Sequence, residues 1–111
     1  MANDGSSLAK QLRGVSRSQL MKVASVVAWE LTIVGRETYD PSSNRVQDPA
    51  KLRSLNECQH FLLGVLRRLV FDEDVDIDAF VESLNAFAKD EHIGQGILAG
   101  VRRGVSQTRG Q

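Results

Sequence analysis

The chain has 111 residues, of which 41% are hydrophobic and 25% charged, with two prolines and 5% aromatic side chains. That supports one domain; two would leave both halves below the size at which a core usually suffices. Fourteen basic and fourteen acidic side chains cancel, so no net field steers the molecule toward nucleic acid or anionic lipid.

Cys58 is the one cysteine. A disulfide within the chain is excluded, and a reducing, cytoplasmic setting is expected. The opening Met1–Ser7 has no basic region followed by an apolar run, so no signal peptide is expected. The longest uninterrupted apolar run, Phe61–Leu66, is far short of the roughly 18 residues of a membrane span. Residues 1–7 and 104–111 are polar, Gly-bearing and without period, and read as disordered tails around a single helical domain at 8–103.

Helical periodicity runs through nearly all of that domain. A short lead-in at Leu8–Val15 precedes a helix from about Ser18 to about Thr38. There Leu20, Val23, Ala24, Val27, Leu31 and Val34 form one apolar stripe. Val26, Trp29 and Ile33 widen it around the cylinder, and Trp29 lies nearly opposite Val27. A helix apolar on more than one side is central in its domain or shared with a second copy. These three residues are therefore the candidate interaction surface and motivate a homodimer.

Residues 39–47 form the clearest loop. Asp48 as N-cap and Pro49 at the first helical position then open a second long helix, carried by its leucines to about Phe71. The acidic run 72–76 punctuates. A third helix begins near Asp76 and places Ile77, Phe80, Leu84 and Phe87 on one face. The last segment, from Ile93 to about Val105, carries glycines at 94, 96, 100 and 104. On a helix, Gly96, Gly100 and Gly104 make a flat groove that another backbone can approach closely. No segment alternates as a strand. The expected fold is all-α, four helices and an optional fifth, built on an antiparallel helix hairpin.

Three motifs lack their usual context. Gly94–Ala99 matches G-x-G-x-x-A, but the preceding segment is helical rather than a strand, and the chain gives no ribose-binding acid downstream. Asp72, Asp74, Asp76 and Asp78 alternate like calcium ligands, yet the sixth and twelfth positions hold Ile77 and Ser83 instead of Gly and Glu. The pairs Arg67-Arg68 and Arg102-Arg103 have no stacking aromatics interleaved, so nucleic acid is not an expected partner.

One polar constellation remains. Arg53, Asn56, Glu57, His60, Gly64 and Arg67 fall within about 80° on the second long helix, opposite its leucines. As a solvated face they need no further role. Glu30 lies about 40° from the centre of the first long helix's apolar stripe and needs a cation or a donor there. Folded antiparallel, the two helices bring Glu30 level with Glu57 and His60. Arg53, His60 or Arg67 would then neutralise Glu30 or Glu37.

Glu57-Cys58-Gln59-His60 is E-x-x-H, the motif that ferritin-like four-helix metal sites use in pairs; a dimer with Glu30 from each copy would complete such a set. Arg53 and His60 resemble the R-x4-6-H pattern of HEPN-type helical ribonucleases, a family of small dimeric bundles. The resemblance covers two residues. It implies an Arg that holds phosphate and a His that moves a proton. The motif lies in the second long helix rather than near the start of a late one, and Ser54 follows Arg53 where that family often has a more polar residue. Cys58, on the flank of the leucine stripe, reads as a packed apolar group. No cofactor is expected. The expected function is a small intracellular, non-enzymatic module that binds another protein.

Overall fold

The computed structural model describes residues 4–40, 45–46 and 49–109. The chain order is α1 (Asp4–Gln11), α2 (Arg17–Thr38), β1 (Tyr39–Asp40), β2 (Arg45–Val46), α3 (Pro49–Val70), α4 (Ile77–Ala88) and α5 (Gly94–Arg109). The architecture is all-α, with the optional short helix present as α1. A two-residue antiparallel ladder, Tyr39 with Val46 and Asp40 with Arg45, ties the neck of the α2–α3 loop. Pro49 opens α3 as its locked φ favours; Asp48 lies outside the described residues.

The helix ends follow from side chains that satisfy orphan backbone groups. Ser16 and Gln19 form a reciprocal capping box that starts α2. The Gln19 N–H donates to Ser16 Oγ at 3.2 Å, and the Ser16 N–H donates to Gln19 Oε1 at 2.9 Å. At the end of α3 the Glu73 N–H donates to the Arg68 carbonyl and the Asp72 N–H to the Leu69 carbonyl. That Schellman pairing places Asp72 at φ 57°, a left-handed conformation more often given to glycine. Asp76 caps α4 by accepting from the Ala79 N–H. Two of the four alternating aspartates are thus accounted for as helix caps.

α2 is the central helix, and its most extensive partner is α5, with α3 second. The glycine groove of α5 is filled from within the same chain. Gly104 lies on Val23, Gly100 on Val27, and Gly96 beside Leu31 and Val34, so the two helices run in opposite directions. A Cβ added at Gly100 would stand 2.8 Å from the Val27 Cα, and one at Gly104 2.9 Å from the Val23 Cα. Only hydrogen fits at these two crossings.

α2 and α3 do meet. Gln59 Nε2 donates to Thr32 Oγ1 at 3.1 Å and to the Ala28 carbonyl at 3.4 Å. Arg17 donates to the Leu69 carbonyl at the far end. α1 closes the base against α4 and α5, burying Leu8 and Leu12. Helices extend into both segments that read as polar tails. Residues 4–7 form the first turn of α1, and α5 runs through 104 to Arg109, because Gly104 and Val105 are buried in the core. Among the described residues no helix is long and apolar enough to cross a membrane.

Candidate functional site

The expected Glu30 constellation is rearranged. Glu30 lies on the α5 side of α2, where its Cγ is near Gly100. Its side chain is only 14% exposed, and its ion-pair partner is Arg103 of α5. The guanidinium rests against Oε1 without hydrogen-bond alignment. The cation that Glu30 needed therefore comes from the C-terminal helix, not from Arg53, His60 or Arg67. Glu57, Arg53, His60 and Arg67 are all exposed on α3. Gln59 is the α3 residue that reaches the middle of α2. The side chain of Glu37 lies outside the described residues. A two-copy site using Glu30, Glu57 and His60 would require Glu30 to leave Arg103. Among the described residues no group of three or more His, Cys, Asp or Glu gathers in one place.

The predicted interaction surface is partly exposed. Trp29 is 54% exposed, while Val26 and Ile33 are half-buried on the flank of α2. Sequence periodicity missed a second set. Leu63 and Val70 on α3, and Phe71 just after its end, are each more than 60% exposed. With Arg67 they recur at three- and four-residue spacing along one exposed line. Guanidinium groups cover two of the exposed rings: Arg36 stands 5.9 Å from the Trp29 centroid and Arg67 5.6 Å from that of Phe71.

A cleft of about 320 Å³ opens between α3 and α4. The two backbones stay apart, and aromatic rings bridge them: Phe61 stacks on Phe80 at 5.8 Å and meets Phe87 at 5.7 Å. His60, Gly64 and Arg68 line one wall at one-turn spacing; Asp76, Ala79 and Ser83 line the other. Phe61, Val65, Val75 and Phe80 complete the lining. Arg53 does not border this cleft, so the R-x6-H pair does not converge on it. A mid-helix glycine costs about 1 kcal/mol relative to alanine. Among the described residues nothing crowds position 64, where an added Cβ would meet no atom within 4 Å.

A further polar cluster joins α3 to the start of α5. Asp90 accepts from Ser54 Oγ at 2.7 Å and, through its other oxygen, from the backbone N–H of His92 at 2.7 Å. Burial acts to raise the Asp90 carboxyl, but these hydrogen bonds, another from the Ile93 N–H and the His92 charge hold it below its ordinary value. Ser54 donates directly to Asp90, whereas a hydrolytic triad places the histidine ring between them, so these bonds order the α4–α5 turn. Cys58 is fully buried nearby. Burial, then the charge of Asp90, push its thiol up to about 12. A protonated, buried thiol is inert, in keeping with its reading as a packed group.

Gly94 opens α5 after a helix, where a dinucleotide site would need a strand. Its role is steric: a Cβ there would collide with the Ala88 carbonyl. Arg102 and Arg103 are exposed, and Arg103 is occupied by Glu30. Compared with protein-family models, curated proteins and solved structures, the chain matches none.

Proposed function

We propose that the chain is a non-enzymatic interaction module that forms a homodimer and binds a protein partner. The observation that supports this reading is the set of large apolar side chains left in water: Trp29 on α2, Leu63 and Val70 on α3, and Phe71 just past its end. Exposing them costs free energy in the isolated chain, and a contact that buries them recovers it. Aromatic and Arg side chains in contact, as at Trp29–Arg36 and Phe71–Arg67, are the composition that dominates binding energy in protein interfaces. The half-buried Val26 and Ile33 extend the surface beside Trp29. A reducing, intracellular setting belongs to the proposal, because the single thiol, Cys58, is buried and unpaired.

In-cell photo-crosslinking tests this. A photoreactive residue at Leu63 or Phe71 gives a discrete adduct, and the same residue at the exposed Gln95 of α5 gives none. An adduct of twice the chain mass identifies the homodimer; another mass identifies a partner. Equal, diffuse labelling at 63, 71 and 95 would sink the reading.

A further inference from the structure

We propose that the α3–α4 cleft is a binding site for a small amphipathic carboxylate, an acid group on an apolar body. Three observations carry this. First, the cleft is held open by sequence. The centre of each wall is small, Gly64 on α3 and Ala79 on α4, while Phe61, Val65, Val75 and Phe80 supply an apolar lining. A volume of about 320 Å³ lies within the range of small-molecule sites.

Second, among the described residues no close packing requires a glycine at position 64. The space beside it is empty to 4 Å, yet the helix bears the propensity cost of a glycine there. Every larger side chain would protrude into the space a ligand needs.

Third, the polar groups on the walls favour an acid. His60 lies one turn before Gly64 and Arg68 one turn after it. Neither side chain has a hydrogen-bond or ion-pair partner among the described residues, nor does the Ser83 hydroxyl on the facing wall. The carboxylate that borders the cleft, Asp76, is engaged with the Ala79 N–H as the cap of α4. Arg68, His60 and Ser83 therefore offer N–H and O–H donors to the cleft, while Oδ1 of Asp76 is turned to its own helix. A carboxylate takes the fork of Arg68 while its apolar body covers Phe61 and Phe80. This site is separate from the exposed line Leu63–Phe71 and does not depend on the interaction reading.

The test is calorimetric titration of the intact protein with decanoate and with decyltrimethylammonium, which has the same chain length and the opposite charge. Decanoate binds at one site per chain, and the cation binds at least about tenfold more weakly. Gly64→Leu fills the cleft and weakens decanoate at least about tenfold while raising the thermal midpoint, since leucine is the better helix former. That opposition separates a filled site from an unfolded protein. Arg68→Gln, at an exposed position, also weakens decanoate without changing the midpoint. Equal binding to wild type and Gly64→Leu, tighter binding of the cation, or no saturable decanoate binding would each overturn the proposal.

Discussion

The same substitution, glycine to alanine, should have opposite signs at two positions two helices apart. At Gly64 the new methyl meets no atom within 4 Å, so Gly64→Ala gains helix propensity of about 0.5–1 kcal/mol. At Gly100 it would stand 2.8 Å from the Val27 Cα and 3.1 Å from Val27 Cγ2. Comfortable carbon–carbon contact begins at about 3.5 Å, so α5 must move off α2 by about 0.7 Å. Backbone cannot rotate aside as a side chain can. Overpacking of this kind costs about 1–3 kcal/mol, against the propensity gain of about 1, leaving a net loss near 1 kcal/mol. In a domain of this size each kcal/mol moves the thermal midpoint by about 4–8 °C. Gly64→Ala should therefore melt higher and Gly100→Ala lower than the parent, with unchanged urea m-values. Gly100→Ala with Gly104→Ala should cost less than the sum, because one displacement of α5 relieves both collisions. Equal signs at 64 and 100, or strict additivity at 100 and 104, would refute direct backbone contact between α2 and α5.

Other outcomes follow from single groups. Ser54→Ala should cost about 1 kcal/mol at neutral pH and raise the Asp90 carboxyl toward its ordinary value, measured by NMR titration. Because the folded carboxyl is depressed, its stabilisation is present above the ordinary value near 3.9 and disappears as pH falls through the folded one. Cys58 should react with a disulfide reagent only as fast as the protein opens. Its raised thiol also makes stability fall by up to about 1.4 kcal/mol per pH unit above the ordinary thiol value, toward 12; a flat alkaline profile would contradict this. A double-mutant cycle at Glu30 and Arg103 should give a coupling of about 1 kcal/mol, small because Arg103 is 55% exposed. Asp72→Gly should stabilise by a few tenths to about 1 kcal/mol by relieving the left-handed φ at the end of α3.

Much of the helical framework was legible because apolar spacing survives into packing. Pro49, the leucines of α3 and the Phe80–Leu84 face of α4 give their helices nearly to the residue. The Gly96–Gly100–Gly104 groove was legible as a place for close approach, but a groove does not name its occupant. Its occupant is α2, which the glycines let α5 approach most closely. Glu30 follows from the same difference: its need for a cation could be read from its position in the stripe, and the identity of Arg103 could not. The start of α2 falls within one residue of the expected Ser18, and the Ser16-x-x-Gln19 capping box is the sequence signal that fixes it. Asp90 was a second missed cap signal, two residues before His92. The polarity of 106–109 gave no sign that α5 continues past the expected end near Val105 to Arg109. The exposed line Leu63, Val70 and Phe71 was absorbed into a generally apolar helix, because hydrophobicity alone does not say which side chains the fold leaves in water.

The account turns on whether those exposed side chains are a contact surface. Sedimentation velocity over a rising concentration series tests it most directly, with the wild type beside a Trp29→Ser, Leu63→Ser, Phe71→Ser variant. All three positions are more than half exposed, so the variant should keep the parent's thermal midpoint. The wild type should associate to a dimer by high micromolar concentration, and the variant should stay monomeric. A wild type that remains monomeric throughout, indistinguishable from the variant, would contradict it.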